Sequence, residues 1–261
     1  MANKQNNCIF IHNSLAMDGT MARLAILSLL LTLALATNAW AAAPRTFAEA
    51  KKVAWTLYAG NPEFYCGCRF SGNKVDLKSC GYVPRKNALR AARIEWEHIV
   101  PAWVIGHQRR CWQKGGRSNC SRNDEIYRRA EADLHNLVPS IGELNGDRSN
   151  YSFAWLPQKP GQYGACPMVV DFKARKAMPR QQVRGMIART YFYMAERYEL
   201  RLSKQDRQLF TAWSRTYPPK PWEQARNQRV ACVMGHGNRY VGTVDLARCP
   251  GTREFKTGKR G

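Results

Sequence analysis

Acid is what this sequence is short of. Only 19 Asp and Glu stand against 41 Lys and Arg in 261 residues, a formal charge of +22. Such a surplus says nothing about fold, but it selects anionic partners: nucleic acid, a negatively charged membrane surface or an acidic polysaccharide. Long apolar runs are also missing beyond the N-terminus, so no later segment has the length to cross a bilayer. No His-Glu-x-x-His occurs, which removes the usual zinc-protease signature. There is no internal repeat and no low-complexity linker, which excludes solenoids and tethered arrays. Charged residues at 23% and hydrophobic residues at 44% are close to globular averages, which excludes a generally disordered chain.

The one apolar run, Ala25 to Ala36, follows Arg23 and precedes the small-x-small site Ala39-Trp40-Ala41. Its length falls short of the ~20 residues a spanning helix needs. Residues 1–41 therefore read as a signal peptide, with Ala42 as the mature start. The polar stretch before Arg23 is long for a signal, and Met17 and Met21 are alternative starts. Without the signal, 39 basic and 18 acidic residues remain, +21 over 220 residues. The chain is expected to be periplasmic or secreted, a single domain over 42–251 with a basic tail at 252–261.

Cysteine usage agrees with export. Cys8 falls in the signal and eight cysteines remain: 66, 68, 80, 111, 120, 166, 232 and 249. An even number in an exported chain points to four disulfides. Spacing does not establish the connectivity; proximity suggests Cys111–Cys120, Cys232–Cys249 and Cys68–Cys80, leaving Cys66–Cys166. A rival zinc set of His107, Cys111, Cys120 and His135 fits no common finger spacing.

Local patterns predict a mixed α+β domain, helix-rich toward its end. Thr46-Phe-Ala-Glu49 is a capping box opening a helix to about Tyr58. Phe64–Arg69 and Lys74–Leu77 read as strands around a Ser71-Gly72-Asn73 turn, and Arg93–Val100 as a strand ending at Pro101. Residues 103–123 read as a long basic loop, and Asp124 caps a helix through Leu134. Ser140-Ile-Gly-Glu143 is a second capping box, opening a short helix through Asn145. Met168–Phe172 is a strand. A long helix follows Pro179, with Val183, Ile187, Tyr191, Met194 and Tyr198 on one face. Two more helices begin at Ser203 and at Trp222.

The chemistry is concentrated between residues 95 and 150. Glu97 and His98 are adjacent, so a regular strand would send them to opposite faces; they share a site only at a strand end or bulge. Between Gly106 and Arg129 lie seven basic residues, Arg109, Arg110, Lys114, Arg117, Arg122, Arg128 and Arg129, against two acids. Cations that hold phosphates, a carboxylate that holds a hard divalent ion and an imidazole that accepts a proton from water are the parts phosphodiester cleavage requires. Glu131 and His135 lie four apart, as on one helix face. Asn145 carries a side-chain carbonyl able to ligate Mg²⁺ or Ca²⁺; equally, it could cap a helix before Gly146. Arg180, Arg184 and Arg201 read as a solvated face before a backbone-binding one, and Trp55, Trp155 and Trp213 as core. Two other classes are weighed: a non-catalytic basic DNA-binding protein, which would need no Glu97, His98 and Asn145, and a glycan hydrolase using Glu95 and Glu97. Positions i and i+2 on a strand do not flank a glycosidic bond with the gap of about 5–9 Å such enzymes use.

Longer motifs resemble the bacterial endonuclease I family: EWEHIVPAW (95–103), GHQR (106–109), CWQKGGRSNC (111–120), DLHNL (133–137), GELNGDR (142–148) and ARTYFYM (188–194). The similarity runs from about Phe47 to about Cys249. It implies an exported, disulfide-bonded, sequence-nonspecific nuclease with a ββα-metal (His-Me finger) core. It further implies His98 as general base, Glu97 and Asn145 as ligands of Mg²⁺ (with Mn²⁺ or Ca²⁺ as substitutes), and Arg117 on the cleaved phosphate. Glu131 would bind the metal's water shell. Arg109, Arg110, Lys114 and Arg117 would face nucleic acid. Expected substrates are DNA and RNA, cut to 5′-phosphate products by a monomer.

Overall fold

The computed structural model describes residues 43–249, which form three small sheets among short and long helices. The signal peptide read at 1–41 and the tail at 252–261 lie outside the described residues. Thr46 caps α1 (Phe47–Leu57), its Oγ1 accepting from the Glu49 amide at 3.2 Å. The capping box is half formed, because Glu49 Oε2 accepts from the Arg45 amide at 2.7 Å. β1 (Arg69–Ser71) and β2 (Lys74–Asp76) make a hairpin in which Ser71 pairs with Lys74. The strand expected from Phe64 to Arg69 is reduced to its last residue. Buried Glu63 accepts from the amides of Tyr65 (3.0 Å), Cys66 and Gly67 (2.7 Å), and this winds the segment into a turn.

α2 (Ala88–Ala91) leads into β3 (Ile94–His98), shorter than the Arg93–Val100 expectation. The basic loop expected at 103–123 is instead helical: α3 (Ala102–Gly106), α4 (Arg110–Gln113) and α5 (Gly116–Asn123), followed by α6 (Glu125–Glu131). These pieces are too short to show an apolar stripe. They are held by the Cys111–Cys120 disulfide and by an Arg109–Asp124 ion pair at 2.8 Å. Trp112 also lies so close over Gly106 that any Cβ there would overlap the indole. α6 stops at Glu131 rather than Leu134. The Asp133 carboxylate takes the His135 amide at 2.8 Å, a local bond that competes with the helix.

β4 (Leu137–Ile141) pairs antiparallel with β3, setting Glu97 opposite Val138 and His98 opposite Leu137. α7 (Gly142–Arg148) follows at once, so β3, β4 and α7 are the ββα unit implied by the resemblance. The Ser140–Glu143 box is not a cap. Ser140 lies in the strand opposite Glu95, and Glu143 reaches instead to the amides of Arg85 (3.1 Å), Lys86 (2.7 Å) and Asn87. Asn145 lies inside α7, not at its end.

The third sheet has β7 (Lys176–Met178) between β5 (Ser152–Phe153) and β6 (Val169–Asp171). α8 (Gln181–Arg197) buries the expected face, and more: Arg184 and Arg189 are also inside. α9 (Lys204–Thr216), capped by Ser203, packs Phe210 and Trp213 into the core, and α10 (Pro221–Met234) ends at left-handed Gly235. Arg189 pairs with Glu223 at 2.6 Å and ties α8 to α10. The disulfides are Cys66–Cys166, Cys68–Cys80, Cys111–Cys120 and Cys232–Cys249. Paired cysteines leave no zinc site with His107 and His135. Each crosslink is worth roughly 2–4 kcal/mol. Among the described residues no helix is long and apolar enough to cross a membrane.

Candidate active site

The site begins where β3 stops. Strand alternation would separate Glu97 from His98, but the pleat ends at His98 and the chain bends through Ile99 and Val100. Asn136 clamps the bend: its Oδ1 accepts from the Val100 amide at 2.7 Å and its Nδ2 donates to the Val100 carbonyl at 3.0 Å. Buried Arg148 fastens it from α7, donating to the carbonyls of His98 (2.9 Å) and Ile99 (2.6 Å). Glu97 and His98 consequently line one cleft of about 1260 Å³.

Glu97 is nearly enclosed. Tyr65 Oη (2.7 Å) and Arg148 Nη1 (2.8 Å) both donate to its Oε1, which leaves Oε2 for a ligand. Burial pushes this carboxyl up, and the Arg148 guanidinium beside it pulls the other way. Removing one member of such a buried pair strands the other charge.

The His98 ring rests on Phe47, centroids 4.7 Å apart, and its Nε2 lies 2.8 Å from the Glu131 carbonyl oxygen. A carbonyl can only accept, so Nε2 carries the hydrogen and the neutral ring has its lone pair on Nδ1. Burial lowers the pKa of His98 to about 4. The Glu131 carbonyl opposes that shift, and Arg117 and Arg148 assist it. The ring is therefore neutral at neutral pH.

Asn145 projects from α7 into the same cleft, with Nδ2 donating to Glu95 Oε2 at 3.1 Å. An ionised carboxylate only accepts, so the amide nitrogen must face Glu95 and Oδ1 is turned away. Glu95 is itself gripped by Arg90 (2.7 and 2.9 Å) and Arg93 (2.9 Å). Burial raises its pKa less than the two arginines lower it, so the carboxyl lies below its ordinary range. Gly142 and Gly146 let α7 approach Arg90, since a Cβ at either would collide with that residue. Arg117 enters from α5, with Nε 2.6 Å from Glu131 Oε1 and the guanidinium over Phe47. Ser121 Oγ donates to Glu131 Oε2 at 2.9 Å. Glu97 Oε2 and Asn145 Oδ1, which take no hydrogen bond from a described residue, are hard donors in the cleft. Among the described residues no cluster of three His, Cys, Asp or Glu is placed to hold a metal. So sparse an all-oxygen set fits Mg²⁺, which dehydrates reluctantly and keeps most of its waters.

Comparison with known proteins decides the family. Residues 34–244 match the model of Endonuclease I. The chain belongs to the endonuclease I family. It is 52% identical over 224 residues to a periplasmic deoxyribonuclease of Aeromonas hydrophila, covering 84% of this chain and 94% of that protein. It is 51% identical to an extracellular deoxyribonuclease of the same organism, over 83% and 96% of the two chains. Endonuclease-1 of Buchnera aphidicola (strain APS) is 46% identical over 75% of this chain and 80% of its own. This member of the family is thus a nuclease, a hydrolase of phosphodiester bonds, and it is periplasmic or extracellular. The non-catalytic and glycan-hydrolase alternatives fall.

Within this nuclease the fold brings Glu97, His98, Asn145 and Arg117 to one cleft, with Glu131 behind Arg117 and His98. It does not bring Arg109, Arg110 and Lys114 there. Arg109 pairs with Asp124 and faces another hollow, and the other two are exposed away from the cleft lining. Glu131 and His135 do not share a helix face; His135 turns inward, and its Nε2 donates to the His236 carbonyl at 3.0 Å. Arg184 is buried, not solvated, with its guanidinium over Trp155 at 4.3 Å; Arg180 is half-buried on the Phe64 carbonyl, and Arg201 is exposed. Trp213 is core, Trp155 is exposed, and Trp55 lines the cleft edge-on to Trp96. Sequence reasoning missed Tyr65, Arg148 and Phe47, which position Glu97 and His98, and Lys51, Lys52 and Arg90, which make the cleft wall basic. The signals available were the adjacent Lys51 and Lys52 in a capped helix and the place of Arg148 in GELNGDR (142–148).

Proposed function

We propose that this enzyme is a Mg²⁺-dependent, sequence-nonspecific endonuclease that cuts DNA and RNA to 5′-phosphate products, acting as a monomer. The observation that carries this reading is the neutral His98, its Nε2–H engaged by the Glu131 carbonyl, in the same cleft as Glu97 and Asn145. His98 Nδ1 takes a proton as a water oxygen bonds to phosphorus. The P–O3′ bond breaks, and the departing 3′ oxygen is protonated from solvent. Arg117 steadies the phosphate oxygens with a guanidinium fork suited to them. Glu97 and Asn145 would hold Mg²⁺, or Mn²⁺ or Ca²⁺ in its place, and the ion would supply charge stabilisation at the phosphate and leaving oxygen. Glu131 sets the angle of both Arg117 and His98; its carboxylate oxygens are taken by Arg117 and Ser121 and it does not line the cleft, so the water-shell role expected of it would need Arg117 to move aside. Nothing in this chemistry uses a 2′-hydroxyl, so both sugars are accepted, and contacts confined to the backbone carry no sequence information. The basic charge of the mature chain supports a polyanionic substrate.

The deciding experiment is plasmid nicking by the parent and by His98→Ala, with Mg²⁺, Mn²⁺, Ca²⁺ or EDTA, and in parallel on an RNA transcript. The parent should nick with Mg²⁺ and not with EDTA. The variant should lose at least 10²-fold in rate while binding DNA unchanged in a mobility-shift assay. A variant that still cuts would remove His98 as the base.

A further inference from the structure

Three hollows run side by side across the surface. Trp103 lines both the catalytic cleft and a second hollow of about 320 Å³. Gln108 and Arg201 line both that hollow and a third, of about 440 Å³. The third is walled by Arg109, Arg129, Arg197 and Arg201, with Glu199 as its one acid. Asp206 is the acid of the second. Arg109 and Arg129 are partnered by Asp124 and Glu125. Arg197 and Arg201 are exposed and form no ion pair with any described residue.

The hinge between cleft and arginines is aromatic. Trp103 is 44% exposed, and His107 stacks on it with centroids 3.9 Å apart and planes within 6°. His107 Nδ1 donates to the Trp103 carbonyl at 2.8 Å, so the pair is held in place before any ligand arrives. Gln108 fastens the next step, accepting from the Arg201 amide at 2.9 Å. An exposed aromatic face followed by unpaired cations is how proteins hold a single strand without reading its sequence, one group for the base and the others for phosphates.

We propose that these hollows form a track for a single nucleic-acid strand on one side of the scissile phosphate: Trp103 stacks a base and Arg197 and Arg201 grip the phosphates beyond it. This rests on the nuclease reading above and adds to it a preference for substrates long enough to reach the third hollow.

The test uses the full mature enzyme and two substrates, a trinucleotide and a single strand of roughly 20 nucleotides. Arg197→Ala/Arg201→Ala should raise KM for the long strand by roughly tenfold and leave trinucleotide cleavage within about twofold. The slope of log affinity against log salt, measured in EDTA, should flatten by about 1.4, which is about 0.7 for each lost phosphate contact. Trp103→Ala should weaken long-strand binding, and Trp103→Phe should restore part of it, because a phenyl ring still stacks. Long-strand KM and salt slope equal to the parent's would overturn the track. So would an equal loss on both substrates, which would mark a structural effect. A parent that neither binds nor cuts either strand would overturn the proposed function itself, and the track with it.

Discussion

Asn145 can offer an oxygen to a cation only if its amide is turned the right way, and Glu95 does the turning. The carboxylate takes Nδ2 at 3.1 Å and is itself fixed by Arg90 and Arg93. It is a positioning residue, acting through Asn145. Replacing Glu95 by Ala frees the amide to rotate, so half of its orientations present nitrogen to the ion. The expected result is at least tenfold weaker Mg²⁺ affinity, as for other residues that orient metal ligands, with kcat at saturating Mg²⁺ little changed. Glu95→Gln should keep much of the affinity, since its carbonyl still accepts. Metal titrations of nicking rate, with calorimetry in the absence of substrate, read this directly. An unchanged Mg²⁺ midpoint in Glu95→Ala would mean that Asn145 is oriented by something else.

At the scale of elements, α5 carries Arg117 and α4 leads into it, and a disulfide joins the two. Neither is long enough to be stable alone, and the Cys111–Cys120 bridge closes the turn between them, with Asn119 donating to the Cys111 carbonyl at 2.8 Å. Cys111→Ser/Cys120→Ser should cost roughly 2–3 kcal/mol in urea unfolding. Loss of Arg117's register should also raise KM severalfold while kcat falls less. Parent kinetics in the double variant would show that Glu131 alone positions Arg117. The same helices mark the boundary of what the sequence reveals. α8 was legible because its apolar residues recur over 17 positions, and α9 because Ser203 and Asp206 announce its start. β3 with its terminal Glu97 and His98 was legible from Pro101. The helices between Ala102 and Asn123 were not, because fixation by a crosslink and an ion pair leaves no periodicity; α6 was, because Asp124 announces its start. Glu143 looked like a capping acid because its true partners, the amides at 85–87, are more than 50 residues away in sequence. Arg148 carried no assigned role for the same reason: its partners, the carbonyls of His98 and Ile99, are about 50 residues away in sequence and only the tertiary fold brings them to it.

Across the whole molecule, buried histidines set a lower limit on the pH of stability. His98 and His135 are both lowered to about 4, by burial in each case. Around His135 the charges are Asp133, which raises it, and Arg226 and His236, which lower it further. Its Nδ1 is buried without a partner, so a proton added there would be a desolvated charge. The unfolded chain takes protons on these rings near pH 6.5 and the folded one near 4, so the unfolded state binds more protons in that interval. The stability due to neutral rings is therefore complete above about pH 6.5 and is lost progressively as the pH falls to about 4. Each ring accounts for about 3 kcal/mol. Buried Glu63 and Glu97, whose pKa values are raised, act with the opposite sign, so the parent's curve alone does not isolate the rings. The difference between the parent and His135→Phe does. In EDTA, urea unfolding followed from pH 7 to pH 4.5 should fall more steeply for the parent, by nearly one proton at the low end. Parallel curves would mean that His135 is protonated in the folded state and that its orphaned nitrogen is reached by water.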